Sequence, residues 1–336
     1  MVTIKMIAEK CGLSTAAVSR ALNHLPGVSQ ENAERVRHIA AEMGYIPNAA
    51  ARLLKTSRSN MIGILYRNEI VHEFFASVLE GIHQEAERHG YELVFLNQYP
   101  GTSYLEHAHH RQCAGVVVVQ GQLYDYDNVM SLVQGDIPTV SVEYEYPGGT
   151  MVVTDNVAAM EELIHYLHDD MGHSRIAFIH GESCQVSSER LAGFVRGCRS
   201  CGLTIPDEYV RQGFFRTPEA SALRTGELLS LPLPPTCILY PDDVSYLGGI
   251  AEIQRRGLSV PSDVSCVGFD GLSLARALTP RLTTYFQDGI MMGARAAQEL
   301  ISAIEDPRCD VPRTVHVPGH ILRGETVRDL RGGMQP

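Results

Sequence analysis

The sequence predicts two fold classes in one chain: a small all-α helix-turn-helix head and, behind it, a two-lobed α/β core. Three observations carry this. At 336 residues the chain exceeds one small domain. Within the first sixty residues, short helical patterns are separated by tight turns. From Met61 onward, apolar runs alternate with amphipathic segments almost to the end, which is the pattern of a doubly wound parallel sheet. The alternation spans more residues than one such sheet needs, so two lobes flanking a cleft are expected.

The head is read first. Thr3 can cap a helix whose Ile4, Ile7 and Ala8 share an apolar face. Gly12 ends it, because glycine accepts the left-handed conformation of a tight turn. Ser14 opens a second helix, with Val18, Ala21 and Leu22 facing inward and Thr15, Ala16, Ser19 and Arg20 facing out. Two short helices joined by such a turn make a helix-turn-helix. Ser29 caps a third helix carrying Val36, Ile39, Ala40 and Met43 at helical spacing, and Gly44 ends it.

The core follows. Strands are expected at 61–66, 91–97, 115–120, 139–143, 175–181, 236–240, 265–270 and 282–287. Helices are expected between them, at 75–89, 156–171, 187–201 and 243–256. The run Val116–Val119 suits a parallel strand covered on both faces. Asp155 reads as a helix cap.

Charge separates the two parts. The chain carries net −11, yet residues 1–60 hold eight Lys or Arg against four Glu, net +4, leaving −15 for the rest. A basic head on an acidic body suits a head that meets phosphates and a body that does not. Nothing after Met1 reads as a signal peptide, and no apolar stretch reaches membrane-spanning length. Eight scattered cysteines read as reduced thiols in cytoplasm. Cys198 and Cys201 form a C-x-x-C without a second pair at zinc-ribbon spacing, so neither metal nor cofactor is expected. His107, His109 and His110 read as a solvated helix face without an acidic partner. Ser183 and Cys184 lack the G-x-S-x-G elbow and base of a nucleophile.

The segments "TIKMIAEKCGLSTAAVSRALN", "VS" and "RVRHIAAEMGYIPNAAARLL" stand in the order and spacing of the LacI/GalR family of bacterial repressors, which this chain resembles over some sixty residues of the head and through most of the core. The resemblance implies a DNA-binding head at 1–46, a hinge helix and linker at 47–59 and a core at 60–330 built like periplasmic sugar-binding proteins. Lobe 1 would hold about 60–155 and 286–318, and lobe 2 about 156–285 and 319–330. It implies that Thr15, Ala16 and Arg20 read bases in the major groove. Arginine can fork onto guanine, whereas alanine offers only a methyl contact. Ser14, Ser19 and Asn23 would meet phosphates. Leu54 would wedge into the minor groove beside Tyr45, Asn48 and Ala51. Effector contacts would come from Phe74, Phe75, Glu143, Arg190, Phe215, Asp242, Asp270 and Gln287, at the carboxyl ends of strands where ligands of such folds bind. Two departures stand out: Asp242 where the family usually has Asn, and Asp288-Gly289 where some members place an aromatic residue.

The reading implied is a dimeric regulator of carbohydrate-use genes, binding double-stranded operator DNA and a small sugar-like effector, with no membrane partner. Two alternatives are a sugar-modifying enzyme, which would turn over its sugar, and a transport solute-binding protein, which leaves the head unexplained. The plainer reading of each site residue is a cap, an ion pair or ordinary packing.

Overall fold

The computed structural model describes residues 2–22, 26–45, 59–66, 72–96, 101–119, 126–309 and 311–331. The chain divides into two units, Met1–Ser59 and Asn60–Pro336.

In the first unit, α1 (Ile4–Cys11), α2 (Thr15–Leu22) and α3 (Gln30–Glu42) pack around Ile7, Val18 and Val36, none of which has any exposed surface. The helix boundaries follow the local chemistry. Thr3 Oγ1 accepts from the Met6 N–H, Ser14 Oγ from Ala17 and Ser29 Oγ from Asn32. Gly12, at φ 64°, makes the turn between α1 and α2. Two of the head's cations have structural work. Arg35 donates to the Cys11 carbonyl and Arg37 to the Ala21 carbonyl, groups that the ends of α1 and α2 leave unsatisfied.

The second unit holds two six-stranded sheets. In chain order its elements are β1 (Met61–Tyr66), α4 (Glu73–Arg88), β2 (Glu92–Leu96), α5 (Tyr104–His110), β3 (Cys113–Val119), α6 (Tyr126–Val133), β4 (Thr139–Val142) and β5 (Thr150–Thr154). Then come α7 (Asn156–His165), β6 (Ile176–His180), α8 (Gln185–Ser200), β7 (Val210–Gln212), α9 (Pro218–Leu229), β8 (Cys237–Leu239) and α10 (Asp243–Arg255). The chain closes with β9 (Ser265–Asp270), α11 (Ser273–Ala277), β10 (Thr283–Phe286), α12 (Gly289–Glu305), β11 (Thr314–Val317) and β12 (His320–Leu322). The first sheet runs β11-β5-β4-β3-β1-β2, all parallel, and the second β12-β10-β9-β8-β6-β7, with only β12 antiparallel. The chain passes between the sheets three times: after β5, after β10 and between β11 and β12.

Each sheet is covered on both faces, as parallel pairing requires. In lobe 1, Val117 and Val119 meet α4 and α12, while Val116 and Val118 meet α5 and α6. In lobe 2, Phe178 and Phe269 lie under α7 and α8, while Ile179 and Ile238 face α9 and α10. The α4–α12 crossing is unusually close. A methyl added at Gly293 would lie 1.9 Å from the Val78 carbonyl oxygen, and one at Gly81 2.0 Å from that of Ile290.

Four strands lie outside the sequence reading: β5, β7, β11 and β12. The helix expected at 156–171 changes at Tyr166 into a π-helical turn through Asp170. His107 is buried and accepts from Arg111, and His109 pairs with Asp136 at 3.0 Å, so those histidines are not a bare solvated face. Among the described residues no helix is long and apolar enough to cross a membrane.

His173 links the lobe-2 sheet to the tail, with Nδ1 2.9 Å from Thr236 Oγ1 and Nε2 3.1 Å from the Arg328 carbonyl. Burial pushes its pKa down from 6.5 to about 4. The unfolded chain therefore binds the proton first as pH falls, and the stability this residue contributes is full above pH 6.5 and lost between there and about 4. In urea titrations the stability gap between wild type and His173→Gln should shrink by about 2–3 kcal/mol across that window. A gap independent of pH would show that His173 is not held neutral.

Candidate functional site

Two surfaces gather the residues singled out from sequence. On the head, α2 presents Ser14, Thr15, Ala16 and Arg20 to solvent at its start and along one side. The Arg20 side chain rests near Gly27, its Nη1 3.5 Å from where a Cβ would stand. Ser19 corrects the expectation. It is 6% exposed, because at about 100° per residue it stands beside Val18 on the flank of the buried face. Tyr45 is half-buried against the head's core. Asn23, Asn48, Ala51 and Leu54 lie outside the described residues.

In the core, the candidate ligand residues collect between the lobes, at the carboxyl ends of the strands and close to the points where strand order reverses, β1/β3 and β6/β8. Arg190, on the second turn of α8, is 3% exposed. Its Nε donates to Asn156 Oδ1 and its Nη1 to the Pro241 carbonyl, both at 2.9 Å. Its guanidinium lies 3.5 Å above the Phe269 ring and 5.6 Å from that of Phe215. Both acceptors are neutral, and Nη2 bonds to nothing among the described residues. A forked donor is therefore held rigidly with one arm uncommitted.

Two carboxylates face it. Asp270 ends β9 at φ 102° and Glu143 follows β4 at φ 64°, backbone conformations that L side chains rarely adopt and that cluster at functional sites. Burial pushes the pKa of Asp270 well up, opposed by Arg190. Burial likewise raises that of Glu143, opposed by Arg190 and Arg216. Gln287 Nε2 donates to Asp270 Oδ1 at 2.7 Å. Gln287 Oε1, Glu143 Oε1 and both ring nitrogens of His72 are buried with no partner among the described residues. Native interiors satisfy almost every such atom, so a cluster left open in one cleft is the mark of a place for a polar guest. His72 stays neutral there, its pKa pushed down to about 4 by burial and then by Arg216. Phe75 stands beside His72 and under Arg216. Phe215 is fixed by its own N–H, which donates to Glu182 at 2.8 Å, and by ring contact with Gly181.

Two candidates do other work. Asp242 is the N-cap of α10: it accepts from the Ser245 N–H at 2.7 Å, from Ser245 Oγ at 3.0 Å and from the Arg216 N–H at 2.7 Å. Its oxygens are engaged by protein donors, which removes it as the acid that would select an amino group. Phe74 is 4% exposed and packs edge-on behind Phe75 in the lobe-1 core. Sequence reasoning missed Asn156, His72, Arg216 and Phe269, which come from distant segments. Asp243 was missed too. It anchors the turn after Asp270 by accepting from the Leu272 N–H and Thr284 Oγ1, and burial pushes its pKa up to about 7.

The lobes are held together by a clasp. Glu73 accepts from the Ser273 N–H at 2.9 and 3.0 Å and from Ser273 Oγ at 2.7 Å, while Gln185 accepts from the Glu145 N–H at 3.1 Å. Charge-assisted bonds of this kind contribute about 1–2 kcal/mol at a partly solvated site. Glu73→Ala should therefore weaken binding in the cleft by roughly tenfold without touching the guest. Calorimetry on both proteins gives the ratio, and an unchanged affinity would mean that the clasp does not contribute to closure.

The chain is similar to known proteins along most of its length. Residues 3–48 match the family of bacterial regulatory proteins, lacI family, and residues 164–327 match a periplasmic binding protein-like domain. The chain is 32% identical over 333 residues to the HTH-type transcriptional repressor CytR of Escherichia coli (strain K12), covering 96% of each chain. Among solved structures it is similar to the lac repressor dimer bound to operator and the anti-inducer ONPF, with a TM-score of 0.80 at 22% identity, covering 97% of this chain and 99% of that one. It is also similar to the complex of the transcriptional regulator CelR with cellobiose, with a TM-score of 0.69 at 22% identity, covering 97% and 100%.

Proposed function

Since the chain belongs to the lacI family of bacterial regulatory proteins and is a DNA-binding transcriptional regulator rather than an enzyme, we propose that a neutral sugar or small glycoside binds its interlobe cleft and controls its hold on a pseudo-palindromic operator. The observation that carries the ligand class is the pairing of charge with unmet polar atoms. Asp270 and Glu143 are balanced by Arg190 and Arg216, so an anionic or cationic guest would meet a site without spare opposite charge, which is costly when buried. Gln287 Oε1, Glu143 Oε1 and the free arm of Arg190 suit hydroxyl groups, and Phe215 suits the apolar face of a ring. The aromatic rings of Phe75 and His72, tilted by 55° to one another, offer a face to a glycoside carrying a planar group, nucleosides included, as a second reading. An amino sugar is not favoured, because the oxygens of Asp242, the acid nearest in kind to an amino-group acceptor, are taken by the cap of α10 and the Arg216 N–H. Calorimetry with neutral sugars, nucleosides and sugar phosphates tests the class. Tight binding of sugar phosphates alone would overturn it.

In this reading residues 1–46 read the operator, 47–59 form the hinge and 60–330 sense the effector as a homodimer. Twofold heads need symmetric half-sites. Light scattering that finds a monomer on operator DNA would overturn the dimer. The protein would work in the cytoplasm on carbohydrate-use genes. Effector would release DNA by favouring one arrangement of the lobes, and operator would change effector affinity by the same factor. Arg20→Ala should cost about 1–3 kcal/mol at one base pair and relax sequence choice there, since arginine can fork onto guanine. Leu54→Ala should instead reduce bending and leave half-site preference intact. Titrations on operator variants separate the two. Equal loss on every sequence for Arg20→Ala would make that residue a phosphate contact.

A further inference from the structure

We propose that lobe 2 carries a surface site for a divalent transition metal of zinc type, held by His165, Asp169 and Cys201 far from the effector cleft. The three residues come from two elements that pack side by side, α7 with its π-helical extension and α8. Their ligand atoms lie within 4.8 Å of one another. His165 Nδ1 is 2.8 Å from Asp169 Oδ2 and 3.5 Å from Cys201 Sγ. A tetrahedral zinc ion with Zn–N near 2.05 Å and Zn–S near 2.3 Å places nitrogen and sulfur about 3.5 Å apart, and nitrogen and oxygen about 3.3 Å apart. The sulfur already stands at that separation, and Asp169 needs to withdraw by roughly half an ångström, which its exposed side chain allows.

The hydrogen bonding around His165 points the same way. Ser200 Oγ lies 2.8 Å from the Gly197 carbonyl, which can only accept, so the hydroxyl proton goes there. With its proton there, Ser200 Oγ can accept from His165 Nε2 at 2.9 Å. In that tautomer the proton sits on Nε2 and the Nδ1 lone pair faces Asp169. Two lone-pair atoms 2.8 Å apart need a cation between them, a proton or a metal ion. A ring nitrogen donating to an outer partner while the other faces the metal is the usual arrangement of a ligating histidine. Asp169 pairs with no Lys or Arg side chain among the described residues, whereas its neighbour Asp170 is taken by Arg323 at 2.9 Å. The backbone is also unusual here. The helix ends in a π turn at Tyr166–Asp170, a rare backbone geometry.

The sequence invites a different pairing, Cys198 with Cys201, but Cys198 is 1% exposed and lies in the lobe-2 core. The structure sets Cys201 against the neighbouring helix instead. On metal binding the Cys201 thiol loses its proton to solvent, His165 and Asp169 each donate a lone pair, and water fills the fourth position. The ion would tie the far ends of α7 and α8 together.

The test uses tag-free full-length protein, stripped with chelator and kept reduced with a phosphine. Titration with cobalt(II) alone should produce near-ultraviolet thiolate-to-cobalt absorption together with visible bands of four-coordinate intensity. Cys201→Ser should abolish the thiolate absorption, and Cys309→Ser, which alters the most exposed thiol, should leave it. His165→Ala should weaken cobalt binding at least tenfold. Asp169→Asn, at an exposed position, should do so while melting like wild type in chelator, which separates lost ligation from lost folding. Zinc should raise the melting temperature of wild type but not of Cys201→Ser. Absence of thiolate absorption in wild type, its survival in Cys201→Ser, or affinity weaker than millimolar would overturn the site.

Discussion

Replacing Arg190 by alanine is expected to weaken effector binding by about a hundredfold to a thousandfold, roughly 3–4 kcal/mol. Among the described residues the guanidinium is the one buried cation of the cleft, and it does three things together. It offers its free Nη2 to the guest, offsets the charge of Asp270 and Glu143, and covers the Phe269 ring. Truncation leaves buried Asp270 without a compensating cation, Glu143 with Arg216 alone, and the Asn156 and Pro241 oxygens without their donor. The empty protein should therefore lose about 3–5 kcal/mol as well. Arg190→Lys keeps the charge but cannot fork, so it should recover most of the stability and little of the affinity. Calorimetry and urea melts on the three proteins measure both quantities. Affinity within tenfold of wild type for Arg190→Ala would remove Arg190 from the site.

The second large effect belongs to packing. Gly293→Leu should prevent lobe 1 from assembling natively, with a cost above about 4 kcal/mol. The methylene next to its Cα would stand 1.9 Å from the Val78 carbonyl and 2.8 Å from the Ile82 nitrogen, both rigid backbone. α4 and α12 would have to part, uncovering Val117, Val140 and Val152 beneath them. The start of α4 also places Phe75 and Glu73, so a surviving fraction should bind effector poorly. Circular dichroism melts and yield of soluble protein report the result. A melting temperature within a few degrees of wild type would show that the helices can separate at little cost.

What the sequence made legible was local. The bounds expected for β1 and β9 agree with the structure, and the caps at Thr3, Ser29 and Asp155 were readable because a cap involves residues two or three apart. The same signal was present at Asp242, immediately before a helix expected to begin at residue 243, and its resemblance to a ligand position hid it. The missed strands β7, β11 and β12 are three or four residues long, too short for a period to register. β5, Thr150–Thr154, reads as polar ends around a three-residue apolar stretch. Arg216, His72 and Asn156 join the cleft only through contacts across tens to more than a hundred residues, which no local pattern records.

The threefold passage between the sheets governs the order in which this protein can be made. Neither lobe is a continuous piece of chain. Thr314 pairs beside Met151, and Met292, Ala296 and Leu300 of α12 cover the valines of β3 and β4. From Val142 to Glu305 a ribosome adds about 160 residues, roughly 10–30 s of synthesis at ordinary rates. Throughout that interval the valine face that α12 will close has no cover, while most of lobe 2 is already emerging. Long-range closure of this kind is slow and exposes sticky surface. The nascent chain is thus exposed longest at lobe 1, whose sequence is translated before that of lobe 2 and whose core is sealed after it.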